Sequence, residues 1–199
     1  MDCLYMIRGR FAEQYADAHR IPPGRRTAVH GPPREEDLPE AEALVVIVAG
    51  HDPELREAVD RIGFARGVPS VGVELLPRRI VCGPVVVPGE TACYACHLRR
   101  IEQHTEQRAE GAGADEAAAA AYGLEEGFAP AHLFLARGLL AQAFAEMRGA
   151  PQDDGPGGTV RSFDLVTGGL SSARTVAVHG CTRCGARFRE ERSPVPALP

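Results

Sequence analysis

The chain has 199 residues, of which 44% are hydrophobic and 25% charged, and it carries a net charge of −5. Those figures describe a folded chain of one-domain length, and its acidic balance argues against a general nucleic-acid binder, which needs a basic face to neutralise phosphate. All 22 basic residues are arginine, which excludes chemistry that depends on a Schiff-base or P-loop lysine.

No apolar run approaches the roughly 18 residues of a membrane span, and Met1 to Arg10 does not read as a signal peptide. The expectation is a cytoplasmic protein. Residues 1–40 form a poorly patterned segment in which Phe11 to Arg20 reads as a short helix. Ile21 to Glu40, rich in proline and charge, reads as a linker. Ala43 to Ala49 (ALVVIVA) is continuously apolar and β-branched, as a strand buried on both faces requires. Asp52 caps the next segment, Pro53 occupies its first turn, and Leu55, Val59 and Ile62 give it a helical face ending near Gly67. A strand over Pro69 to Leu75 completes a βαβ unit, whose right-handed crossover sets the two strands parallel.

Arg78 to Val87 is a third extended segment, and its Gly83-Pro84 suits a sheet edge or a bulge. A polar helix is expected over His97 to Arg108. Ala109 to Ala121 is of low complexity, and residues 152–158 read as a flexible loop. Pro130 to Arg148 carries apolar residues at helical spacing and closes at Gly149. Val160 to Val166 and Ala173 to Val178 make a hairpin around Thr167-Gly168-Gly169. The end of the chain, residues 190–199, is expected to be a disordered tail.

The informative chemistry lies in six cysteines, four of them in the pairs Cys93-x-x-Cys96 and Cys181-x-x-Cys184. Two intervening residues let both thiolates turn inward from one knuckle, and two knuckles complete a tetrahedral zinc site. Four thiolates leave no open position for a reacting water, so the expected Zn2+ is structural. His97 and His179 flank the knuckles and are expected to support the ligands rather than join them. Cys82 and Cys3 read as structural thiols before nucleophiles.

From Gly83-Pro84-Val85-Val86-Val87-Pro88-Gly89 into Cys93-Tyr94-Ala95-Cys96, and again at Phe163-Asp164-Leu165 and His179-Gly180-Cys181, residues 43–189 resemble the ThiF/MoeB superfamily of ubiquitin-activating-like enzymes. The resemblance is closest to its divergent ThiF-like partner proteins of YcaO cyclodehydratases, which act in thiazole/oxazole-modified peptide biosynthesis. It implies an α/β fold, a truncated ThiF-like Rossmann-type sheet with a four-cysteine zinc site. The expected domains are an N-terminal linker (1–40), a zinc-stapled ThiF-like domain (41–189) and a tail (190–199). In that chemistry the YcaO partner binds ATP and activates a backbone amide for attack by Cys, Ser or Thr side chains.

Adenylating members of the superfamily place a strand and a glycine-rich turn on the ATP phosphates, and nothing before Ala43 reads as such a unit. Asp52 and Arg56 stand near where a magnesium ligand and a nucleotide-binding arginine would lie, although Asp52 reads first as a helix cap. The implied role is a non-catalytic scaffold that docks a YcaO-type cyclodehydratase, a precursor leader peptide, or both. A peptide would add to a sheet edge at Arg78, Arg79 and Ile80. A homodimer is a further expectation, with no nucleic-acid or membrane partner. The alternative is an ATP-dependent adenylating enzyme acting on a peptide or carrier-protein C-terminus through Asp52 and Arg56, with a cysteine such as Cys82.

Overall fold

The computed structural model describes residues 1–105, 127–149 and 158–185. Seven strands form one sheet in the order β2-β1-β3-β4-β5-β6-β7. They are β1 (Cys3–Arg8), β2 (Arg26–Ala28), β3 (Ala43–Ala49), β4 (Ser70–Leu76), β5 (Arg79–Cys82), β6 (Gly158–Asp164) and β7 (Leu170–Thr175). The helices are α1 (Arg10–Ala18), α2 (Pro53–Arg66), α3 (Tyr94–Thr105) and α4 (Pro130–Met147). β1 to β4 run parallel, and β5, β6 and β7 each pair antiparallel to the preceding strand.

The expected βαβ unit is β3-α2-β4. Ala43 to Val48 are buried without exception, because helices cover both faces of the sheet. On one face Leu55, Val59 and Ile62 of α2 pack on Leu44, Val46 and Val48. On the other, Phe11 and Tyr15 of α1 and Leu133, Ala136 and Leu140 of α4 pack on Val45, Ile47, Val73 and Ile80. Asp52 accepts the Leu55 N–H at 3.1 Å, Pro53 follows it, and Gly67 ends α2 in the left-handed region at φ 66°. The cap, the first-turn proline and the C-terminal glycine each satisfy or avoid an orphan backbone group.

Two expectations are corrected. Residues 1–40 are not a linker: β1 pairs with β3 over six residue pairs and β2 adds outside it. Cys3 to Ile7 is a short apolar run that needs β3 beside it to register as a strand, and Phe11, Ala12, Tyr15 and Ala16 bury one side of α1. The unit is strand, Gly9 turn and helix, with one glycine rather than a glycine-rich loop. The chain returns from β2 to the far side of β1, so the C-terminal ends of β1 and β3 form the point where strand order reverses, the usual ligand crevice of open α/β sheets.

The second correction concerns Arg78 to Val87, where β5 is not an edge. It pairs with β4 on one side and β6 on the other, and Ile80 is buried in the core. A peptide cannot add at Arg78, Arg79 and Ile80, because the backbone groups it would need are already paired. Beyond β5 the chain passes a cis Gly83-Pro84 bond and touches β4 again through a single bridge, Ser70 to Val86. The low-complexity stretch, nearly all of the 152–158 loop and the 190–199 tail lie outside the described residues.

Candidate metal centre

The first knuckle sits where the loop after Val87 enters α3. Cys93 immediately precedes the helix and Cys96 lies in its first turn, with the Cys96 N–H donating to the Cys93 carbonyl at 3.1 Å. The second knuckle follows β7. The Cys181 N–H donates to Val178 O at 3.1 Å, and the Gly185 N–H closes the turn on Cys181 O at 2.8 Å. Any Cβ at Gly185 would stand 2.3 Å from that same carbonyl oxygen, so this turn requires glycine.

The two knuckles are 88 residues apart in sequence and meet in space. Cys93 Sγ lies 3.7 Å from Cys96 Sγ and 3.6 Å from Cys181 Sγ, and Cys96 Sγ lies 3.5 Å from Cys184 Sγ. All four sulfurs fall within 4.8 Å of one another, and all four residues are buried. A disulfide needs about 2.05 Å between sulfurs, so none of these pairs is oxidised. Zinc–sulfur bonds of about 2.3 Å in a tetrahedron put sulfur atoms about 3.8 Å apart. The donor set and its spacing fit a thiophilic ion held by Cys93, Cys96, Cys181 and Cys184.

Backbone amides tune the sulfurs. The Val178 N–H donates to Cys96 Sγ at 3.3 Å. Burial opposes ionisation of Cys181, but backbone amides of Cys184 and Arg183 outweigh it and bring that thiol down to about 6. Neither flanking histidine joins the sulfur group. His97 Nδ1 lies 3.1 Å from Thr175 Oγ1, tying α3 to β7, and His179 is exposed.

The residue that joins both knuckles to the sheet is Asp60, fully buried on α2. Its Oδ1 accepts the Tyr94 N–H at 3.2 Å, just after Cys93, and its Oδ2 accepts from Arg183 Nη1 at 2.7 Å, between Cys181 and Cys184. Glu57, one position short of a turn away, accepts from Arg183 Nη2. Burial pushes the Asp60 carboxyl up, while Arg56 and then Arg183 pull it back. A lone acid in a helical stretch carries no sign of this role in sequence.

Arg56 and Asp52 take structural positions. Arg56 is fully buried, its guanidinium 5.0 Å from the centre of the Tyr94 ring and its Nη2 3.4 Å from Pro84 O. It lies against Gly72 of β4, where a Cβ would stand 2.5 Å from Nε. Asp52 both caps α2 and pairs with Arg8 at 2.5 Å, a bridge across the crevice between the ends of β1 and β3. Beside it, His51 Nδ1 lies 2.9 Å from Glu74 Oε2. Cys82 is fully buried and burial pushes its thiol up to about 12, which withholds the thiolate a nucleophile needs. Cys3 is also buried.

No family model and no curated protein matches this chain. Among solved structures it is similar to the heterocyclase TruD, with a TM-score of 0.57 and 19% identity over 98% of this chain and 29% of that one. A heterocyclase in complex with substrate and cofactor gives a TM-score of 0.57 and 15% identity over 93% of this chain and 25% of that one. MccB of E. coli with AMPCPP and MccA gives a TM-score of 0.54 and 17% identity over 80% and 44%. The chain shares their fold. It spans between a quarter and less than half of the length of each.

Proposed function

We propose that the chain is a ThiF-like, non-catalytic partner in the biosynthesis of thiazole/oxazole-modified ribosomal peptides. It docks a YcaO-type cyclodehydratase, the leader of its precursor peptide, or both. The observation that carries this reading is the coverage: 98% of the chain aligns with TruD while accounting for 29% of it. On this reading the chain supplies one part of a larger machine, and a separate subunit performs the chemistry. Zn2+ on the four cysteines is structural, holding the start of α3 and the turn after β7 in fixed relation to α2.

The test is a pull-down of the metal-loaded protein with the products of its own gene cluster. Retention of a cyclodehydratase or a precursor peptide supports the proposal. Retention of neither sinks it.

The fold likeness to MccB with a bound ATP analogue favours a second reading, an ATP-dependent adenylating enzyme. It requires Asp52 and Arg56 to reach the nucleotide. Arg8 occupies Asp52, and Arg56 has no exposed surface. ATP–pyrophosphate exchange with candidate peptide C-termini decides between the two, and exchange by the isolated chain overturns the scaffold reading.

A further inference from the structure

A groove of about 350 Å³ lies between α1 and the C-terminal half of α4, over Tyr5 in the middle of β1. It opens on the face of the sheet opposite α2, away from the sulfur cluster. Ile21, Leu140 and Phe144 give it an apolar floor, and Arg137 and Arg148 stand along it. Among the described residues no carboxylate lines it, and its two arginines make it locally positive in a chain of net charge −5. Neither arginine pairs with an acid among the described residues.

Arg137 is held in place by a neutral group. His19 Nε2 lies 3.0 Å from the Leu133 carbonyl, which can only accept, so that nitrogen carries the proton. His19 Nδ1 therefore offers a lone pair, and Arg137 Nη1 donates to it at 3.3 Å. The contact uses one of five guanidinium N–H groups and cancels none of the charge. The Tyr15 ring stacks edge-on against His19 at 4.5 Å, and Phe134, 66% exposed, extends this apolar wall at 6.0 Å.

The spacing of the two arginines selects the ligand. They are eleven residues apart, Arg137 within α4 and Arg148 at its C-cap, about 16 Å along the axis at 1.5 Å per residue. Both side chains line this one groove, and two anionic groups carried on one chain can meet the two of them. An extended peptide advances about 3.3 Å per residue, so acidic side chains about four to six positions apart can.

We propose that this groove docks an extended acidic peptide segment, with two carboxylates about four to six residues apart on Arg137 and Arg148 and an apolar side chain between them over Leu140 and Phe144. The site extends the proposed function by naming the kind of peptide the chain accepts, and its existence does not depend on which enzyme the chain serves.

The probes are amide-capped, fluorescently labelled peptides in which two glutamates flank runs of alanine and leucine, titrated into the full metal-loaded chain at constant ionic strength. Anisotropy should show saturable binding that is tightest when the glutamates are about four to six positions apart. Arg137→Gln and Arg148→Gln should each weaken it about tenfold, with unchanged melting because both side chains are exposed. Absence of saturable binding across the series, indifference to spacing, or variants that bind as tightly as the unaltered chain overturn the proposal. So does displacement of the peptide by acetate or inorganic phosphate at equal concentration, which marks a small-anion site. A failed pull-down with intact peptide binding removes the proposed function and leaves the groove, and the reverse outcome removes the groove alone.

Discussion

Asp60 ties the two Cys-x-x-Cys turns together, because one buried carboxylate accepts from a residue of each. Removing it strands the Tyr94 N–H and leaves Arg183 with Glu57 alone. Asp60→Ala should cost about 3 kcal/mol, the scale for breaking a buried charged hydrogen-bond pair, read as a lowered urea midpoint. The same variant should release its metal to a chelator faster. Asp60→Asn keeps an acceptor and should lose less. If Asp60→Ala left both stability and metal release unchanged, the carboxylate would have no bearing on the knuckles. Cys93, Cys96, Cys181 and Cys184 were legible from spacing alone, because two Cys-x-x-Cys pairs have few other physical uses in one chain. Asp60 and Arg183 were not, because an acid on α2 and a base inside the second knuckle become partners only once the fold brings them together.

At the scale of elements, α4 is tied to the sheet by chemistry as well as by burial. Glu146 accepts from Arg161 Nη2 at 2.7 Å and from the Thr159 N–H at 3.0 Å, with both charged side chains nearly buried. Glu146→Ala leaves Arg161 charged and without that partner, and should destabilise by about 3–5 kcal/mol. Leu140→Ala, which removes a 1% exposed side chain from the helix–sheet core, should cost about 2–5 kcal/mol. Equilibrium denaturation measures both, and values near zero would mean that α4 does not pack as described. The helix itself, β3, α2 and β4 were readable because periodicity and capping residues are local. β1 was not, because six residues with an exposed end signal a strand only beside β3. The interior place of β5 was hidden for the same reason: Gly83-Pro84 has edge-strand chemistry, but β6 arrives from far along the sequence to cover it.

For the whole molecule, the four-cysteine cluster joins the loop after the cis Gly83-Pro84 segment to the turn after β7, and α2 joins both to the parallel half of the sheet. Metal binding to such a site is coupled to folding. Exhaustive chelation should lower the melting temperature and strip hydrogen-exchange protection from β7 and the second knuckle before β3 and β4. An unchanged melting curve would mean the sulfurs hold no stabilising ion. The same architecture explains why the crevice at the ends of β1 and β3, the usual ligand position for this topology, is bridged by Arg8 and Asp52, and why Arg56 supports Tyr94 instead of reaching outward. Asp52 is engaged by the α2 N-terminus and Arg8, and Arg56 by the Tyr94 ring and Pro84.

The claim that this shape serves a partner's chemistry is tested most directly by reconstitution. The cyclodehydratase and precursor peptide of the same gene cluster are incubated with ATP, with and without this chain, and loss of water from the precursor is followed by mass spectrometry. Dehydration should be much faster when the chain is present, and absent when the chain replaces the enzyme. Dehydration or ATP turnover by the chain alone, or a cyclodehydratase indifferent to its presence, would contradict it.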